Sequence, residues 1–309
     1  MAVRILARTA QMLLVVLGAA TLTFFVLRLA AGDPARLVNP PGTPEEIVTQ
    51  VRERLGTDEP LLAQYRTFLV DLAHADLGTS FHGEQSVRDA VLDALPNTAM
   101  LAGVTIVIAS LVGLALGILA ALFANRPLDR VILVYVAVAQ STPNFWLAVV
   151  LVLVFAVELQ WLPAIDKAGP ESFVLPVTTL VVMLTPVLIR TVRQSFLETL
   201  GEDHVRAARA RGLPERRVLL VHGLKAAALP LVTLFGLQAG FVLAGAYVVE
   251  FVFNWPGIGK LTLDAINSRN FPMIQGGVLA AGVSFVLVNF VVDLVYGALD
   301  PRIRHGRAA

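Results

Sequence analysis

A chain of 309 residues with 56% hydrophobic and only 15% charged residues is too apolar for an ordinary soluble domain, where about 25% of residues are charged. The net charge of +1 offers no electrostatic basis for nucleic-acid binding. The absence of cysteine excludes disulfide frameworks, thiolate metal sites and cysteine nucleophiles.

The first apolar run, Ala10 to Ala31, follows Arg4 and Arg8 and is interrupted only by Arg28. A secretion-signal core is about 7–15 residues. This run is longer, and about 20 helical residues cross the hydrocarbon core of a bilayer. No small-residue cleavage site follows, so a retained first span is expected over 9–31. The segment 32–97 carries five arginines (36, 52, 54, 66, 88) against eleven acids. It reads as a compact folded insert. Glu45 to Leu55 is amphipathic, with Ile47, Val48, Val51 and Leu55 on one face. Leu61 to Leu72 predicts a second short helix, and Val87 to Leu95 a third that ends at Pro96.

Five further apolar runs follow at 98–124, 131–157, 173–195, 230–253 and 275–297. Backbone groups in lipid must be satisfied within their own segment, so all six spans are expected to be helices. Gly113 and Gly117, and Gly236, Gly240 and Gly245, suit close helix contact. Pro143, Pro176 and Pro186 predict bends or caps. The chain thus divides into 1–31 (tail and first helix), 32–97 (insert), 98–297 (a five-helix core with a loop at 198–229) and 298–309 (tail).

Basic residues of short loops mark the cytoplasmic side. Arg4 and Arg8, Arg126 and Arg130, the cluster from Arg193 to Lys225, and Arg302, Arg304 and Arg307 fall on one side if there are six spans. Both termini are then cytoplasmic and the insert is external.

Chemical interest concentrates in the cytoplasmic loop, Asp203-His-Val-Arg-Ala-Ala-Arg-Ala-Arg-Gly212 and onward through Leu213, Pro214 and Glu215 to Pro230. The pattern reads helix, break, helix. Asp203 is placed to cap the first helix. Val205, Ala207, Ala208 and Ala210 keep it slim. Gly212 supplies a left-handed stop, and Pro214 suits the first turn of a following helix. Such a slim helix can lie in a groove on another protein; a basic segment resting on anionic lipid is the alternative. Gly212→Pro or Ala208→Trp is expected to uncouple the loop without unfolding the chain.

At this point a resemblance to a known family is visible. Arg206-Ala207-Ala208 followed by Gly212 matches the spacing of the Glu-Ala-Ala…Gly loop of ABC importer permeases, with Arg206 in the Glu position. Leu55-Gly-Thr-Asp-Glu-Pro60, Gln64-Tyr65, Asp76-Leu-Gly-Thr-Ser80 and Leu95-Pro-Asn-Thr98 are similar to the external segment of the dipeptide, oligopeptide and nickel branch, as in dipeptide permease B-like subunits. Ser141-Thr-Pro-Asn-Phe-Trp146, Trp161-Leu-Pro163, Glu250-Phe-Val-Phe-Asn-Trp-Pro-Gly-Ile-Gly259 and Asp293-Leu-Val-Tyr-Gly-Ala-Leu-Asp-Pro-Arg302 extend the match across nearly the whole chain. The resemblance implies an all-α type I ABC importer permease fold in a bacterial inner membrane. It implies a second homologous permease subunit, two ATPase subunits docked on the cytoplasmic loops, and an external substrate-binding protein. The coupling residues would be Asp203, Val205, Arg206, Ala207, Ala208, Arg211, Gly212, Leu213 and Glu215. ATP and Mg would be held by the ATPase partners, with no cofactor in this chain. The ligands of the branch are dipeptides, oligopeptides, glutathione, nickel chelates and haem, with peptide the default.

Other residues fit that division of labour. The nearest approach to a phosphate-binding loop, Asn254-Trp-Pro-Gly-Ile-Gly259-Lys260-Leu261, lacks the first Gly and the final hydroxyl, so it predicts a turn. His74, His82, His204, His222 and His305 show no metal-ligand spacing. Trp146, Trp161 and Trp255 predict interfacial anchors. Gln140, Asn144, Gln238, Glu250, Asn289 and Asp293 are polar groups within or near spans; they line a substrate path or gate, or they join helix to helix. The insert is either a docking surface or a lid. A stand-alone secondary transporter would need inverted repeats with interrupted helices, and a membrane enzyme would need titratable groups clustered at one depth; neither pattern is present in the sequence.

Overall fold

The computed structural model describes residues 2–30, 35–36, 39, 42–54, 56–81, 85–163, 169–214, 238, 242 and 246–299, with backbone alone at 2–8, 30, 54, 204 and 292–299. Most of the expected fifth span, the C-terminal tail from 300 and Glu215 lie outside the described residues. The described helices are α1 (Ala2–Ala30), α2 (Glu45–Arg54), α3 (Leu61–Ala73), α4 (Val87–Leu122), α5 (Pro127–Ser141), α6 (Asn144–Leu151), α7 (Val174–Leu200), α8 (Asp203–Ala210), α9 (Ile258–Asn267) and α10 (Phe271–Leu299). Among the described residues, four helical segments are long and apolar enough to cross a membrane: Thr9–Leu29, Val87–Leu122, Pro170–Gly201 and Phe271–Val291. A fifth forms if the bent pair Pro127–Ser141 and Asn144–Glu158 counts as one span. Their outer faces are apolar: Leu13, Leu14 and Leu22 of α1, Ile108 and Leu111 of α4, and Val131 and Val134 of α5 are exposed. So much exposed hydrocarbon suits lipid or a partner and would be costly in water.

Two compact units make up the chain, one of Met1–Ala99 with Trp255–Val286, the other of Met100–Asn254 with Leu287–Ala309.

In the first unit the expected insert helices form at α2 and α3. Tyr65 docks α3 on α1: its hydroxyl lies 2.7 Å from Thr21 Oγ1, and its ring is 5.4 Å from that of Phe24. Gln64 Nε2 donates to the Thr57 and Glu59 carbonyls at 3.2 and 2.7 Å, closing the turn before α3. Asn270 holds the Asp76–Ser80 stretch: its Nδ2 donates to Ser80 Oγ at 2.6 Å, and its Oδ1 accepts from Phe81 N at 3.2 Å.

Pro96 corrects one expectation. The helix beginning at Val87 does not end there but runs through to Leu122. An interior proline removes one helix hydrogen bond and crowds the preceding turn, at a cost of about 3 kcal/mol. Three tertiary bonds brace this stretch. Trp255 Nε1 donates to Asn97 O at 3.1 Å, Asn97 Nδ2 to Pro256 O at 2.8 Å, and Ile258 N to Thr98 Oγ1 at 2.8 Å. At roughly 1 kcal/mol net each, they offset the proline. Trp255 is accordingly buried, with its N–H engaged, and is not the interfacial anchor expected from sequence. Trp146 and Trp161 are exposed, as anchors would be.

In the second unit α4 packs on α7. A Cβ at Gly113 would lie 2.6 Å from Leu188 Cβ, and one at Gly117 2.5 Å from Val192 Cβ, so both glycines are needed for the approach. At the foot of α7, Arg193 Nε and Nη2 each donate to Asp129 at 2.8 Å in a bidentate pair, and Asn125 N also donates to Asp129 at 2.8 Å. Asp129 is only 2% exposed. The expected third span, 131–157, is not one straight helix. Thr142 and Pro143 are extended (ψ 120° and 136°), because proline disfavours helical geometry in the residue before it. The halves bend by 101°, and the second continues as a π-helical turn over Val152–Glu158.

Two outcomes follow for the purified protein. Removing one partner of the Asp129–Arg193 pair strands a charge, so Asp129→Ala should destabilise the second unit by about 3 kcal/mol or more. Replacing both with apolar residues of similar volume should recover much of that loss; a double variant no more stable than Asp129→Ala would refute the pairing. Asn97→Leu should lower stability by about 0.5–1.5 kcal/mol through loss of its hydrogen bond to the Pro256 carbonyl. An unchanged thermal midpoint would show that the brace carries no weight.

Candidate functional site

The chain leaves α7 at Leu200, turns through Gly201 and an extended Glu202 (ψ 151°), and enters α8. Glu202, not Asp203, is the N-cap residue, and no side chain caps the helix there. Asp203 sits one position inside, where a carboxylate still favours the positive end of the helix dipole. Its Oδ1 lies 3.4 Å from Arg206 Nη1, a fully solvated pair worth little.

The helix has two faces. Val205 (0% exposed) and Ala208 (7%) pack with Leu200 and Leu213. Asp203, Arg206, Ala207, Arg209, Ala210 and Arg211 are exposed. The expectation for Ala208 therefore changes. It faces its own chain, and a bulky residue there would disturb the seat of α8 before it met any partner.

Gly212 ends the helix as its position predicts, with φ +76°. Gly212 N donates to Arg209 O at 2.9 Å and Leu213 N to Ala208 O at 3.3 Å, the paired bonds of a Schellman turn. Leu213 folds back onto Ala208, completing that turn's apolar contact. The result is a single-turn-pair helix whose inner face is locked and whose outer face shows small side chains between arginines. It stands on a firm base, since Phe196 and Val192 of α7 are buried against Ala121 of α4.

The polar span residues have partners on α7. Asn144 Nδ2 donates to Met183 Sδ at 2.9 Å, and Gln238 Nε2 to the Leu184 carbonyl at 3.1 Å. Gln140 Oε1 accepts from Arg190 Nη2. Three of the six candidates thus meet one helix. Glu250 is fully buried, Asn289 half-buried, and the Asp293 side chain lies outside the described residues. Arg190 was passed over in the sequence, although an arginine inside an apolar run is the signal that should have found it. Its side chain is exposed on α7.

Comparison with known proteins identifies the family of the chain. The model of the family "Binding-protein-dependent transport system inner membrane component" matches residues 113–305, and that of its N-terminal membrane component matches 1–102. The glutathione transport system permease protein GsiC of Salmonella choleraesuis (strain SC-B67) is 40% identical over 286 residues, 93% of this chain and 94% of that protein. GsiC of Escherichia coli (strain K12) is 39% identical over 284 residues, 92% of this chain and 93% of that protein. A chain of the MetNI methionine ABC transporter, solved in inward-facing conformations, has the same fold with a TM-score of 0.56 and 18% identity, covering 68% of this chain and 96% of that one. The chain belongs to the family of binding-protein-dependent transport system inner membrane components, and is an integral membrane protein serving as a permease component of an ABC importer.

Proposed function

We propose that this chain forms half of a translocation path for short peptides, glutathione among them, and that α8 is its coupling helix. The observation that carries this is the two-faced α8: a helix seated on α7 by Val205 and Ala208, with Arg206, Ala207, Arg211 and Gly212 outward. In this reading Leu213 and Glu215 complete the docking surface. Two ATPase subunits, which bind ATP and Mg, grip this surface and its counterpart on a second homologous permease. An external binding protein delivers the ligand. Six spans put both termini in the cytoplasm and the 32–97 insert outside. Because α8 is seated on the end of α7 at Leu200, a push on α8 reaches the helix that Asn144, Gln238 and Gln140 touch.

Glutathione is favoured within the peptide class by the GsiC relatives and by Arg190. An exposed guanidinium within a span, braced by Gln140, suits the carboxylates of an anionic tripeptide. Glu250, Asn289 and Asp293 remain candidates for the path or gate.

Ala207→Trp should leave the permease folded but cut ATPase co-purification and uptake at least tenfold, whereas Ala208→Trp should lower its stability. Gly212→Pro, which cannot adopt φ +76° and loses a turn hydrogen bond, should behave like Ala207→Trp in uptake. Full ATPase binding and wild-type uptake in the Ala207 variant would overturn the docking face. In the reconstituted transporter, Arg190→Gln should raise the half-saturating glutathione concentration about tenfold, the loss expected for a hydrogen bond to a charged group. Saturable uptake of L-alanyl-L-alanine, with none of glutathione, would exclude glutathione as the ligand.

A further inference from the structure

Arg190 lies within the span Pro170–Gly201, and its side chain reaches in an unexpected direction. In the first turn of α5, Asp129 meets Arg193. Gln140 lies eleven positions further along α5, about 16 Å up the helix axis. Gln140 nevertheless meets Arg190, which precedes Arg193 by a single turn. The Arg190 guanidinium therefore reaches away from the α8 end of α7 and into the span. An arginine against lipid does the opposite, keeping its stem on apolar surface and its head toward the nearer interface. Arg190 is exposed, its partner is a neutral amide, and among the described residues no carboxylate pairs with it. In a dry setting that charge would be uncompensated.

A second observation lies beside it. Helix α5 ends one residue after Gln140, and Thr142 and Pro143 are extended before α6 begins. Non-helical backbone at membrane depth is tolerated where it is buried in protein or lines water. Ser141 and Pro143 are exposed, so this chain does not bury the break. The exposed surface of α5 also has two sides. Ala137 lies one turn before Gln140 on the side that meets Arg190, and Val187 stands one turn before Arg190 on α7; both are exposed. Val131, Val134 and Val138 form the other side, which is exposed and wholly apolar.

We infer that the edge shared by α5 and α7, with Ala137, Gln140, Val187 and Arg190, is a water-filled and anion-attracting wall of the translocation path, and that the Val131, Val134 and Val138 side of α5 faces lipid. This rests on the reading of the chain as half of such a path. Water supplies what the exposed break and the unpaired guanidinium lack. A cation in a cleft with low-dielectric walls concentrates anions beside it. Ligands bearing carboxylates are favoured along this wall, and cationic ones are disfavoured.

The chain has no cysteine, so one introduced thiol is the only one it carries. Thiol reagents attack the thiolate, which forms in water and not in hydrocarbon. Ala137→Cys and Val138→Cys are neighbours at one depth, about 100° apart around the helix. The test uses the intact transporter complex in lipid nanodiscs, open on both sides, with the mass of this chain reporting the label. It is run without nucleotide and with ATP and vanadate. Ala137→Cys and Val187→Cys should react with the anionic sulfonatoethyl methanethiosulfonate at least tenfold faster than Val138→Cys in one of these states. At Ala137→Cys the anionic reagent should also outpace its cationic trimethylammonium counterpart, each taken relative to its rate with free cysteine, and Arg190→Gln should remove that preference. Equal rates for the Ala137 and Val138 variants in both states would overturn the wet wall. A preference unchanged in Arg190→Gln would overturn the part given to its charge. Labelling needs neither ligand nor uptake, so its failure is distinguishable from failure of the peptide reading or of ATPase docking.

Discussion

A carboxylate cannot stay charged inside a helix bundle without a partner, and Asp129 is such a carboxylate. Arg193 meets it with two parallel hydrogen bonds, and the backbone of Asn125 adds a third. The pair fixes α7 to the first turn of α5. Just above, Gly113 and Gly117 let α4 and α7 approach until a single added carbon would collide. The proposed coupling helix is seated on the end of this anchored helix, at Leu200. A helix of eight residues has almost no stability of its own, and α8 holds its position because α7 holds it.

Four of the expected spans, and a fifth if the bent pair counts as one, were legible because length and apolarity define them, and the breaks were legible where chemistry leaves one choice. Gly212 has the left-handed conformation that its position demanded, and Gly113 and Gly117 make the contacts expected of small residues. Two of the failures share one cause. Pro96 looked like a stop, but the helix passes through it because residues about 160 positions away supply hydrogen bonds. Trp255 looked like an anchor for the same reason, its partner being invisible in the local sequence. Asp203 looked like a cap, yet the chain enters the helix one residue earlier.

The proposed coupling loop was legible as a helix ended by Gly212 and not as a surface. Alanine at 207 and at 208 is chemically identical, and only the direction of the turn separates an outward residue from one seated on Leu200 and Leu213. Arg190 shows the opposite error. Its charge was plain in the sequence but sat beside the arginines of the loop, and it was not recognised as lying inside a span. Motifs read as family signatures prove to be structural joints within the first unit. Leu95-Pro-Asn-Thr98 grips Trp255-Pro-Gly-Ile258, and Ser80 grips Asn270.

The burial of Trp255 has an optical consequence. Of the three indoles in the chain it is the one shielded from its surroundings, while Trp146 and Trp161 are exposed. With those two replaced by phenylalanine, the emission of the protein would come from a single ring hydrogen-bonded to the Asn97 carbonyl. Its wavelength would then report, without any added label, whether the joint between the start of α4 and the turn before α9 stays shut as the transporter cycles.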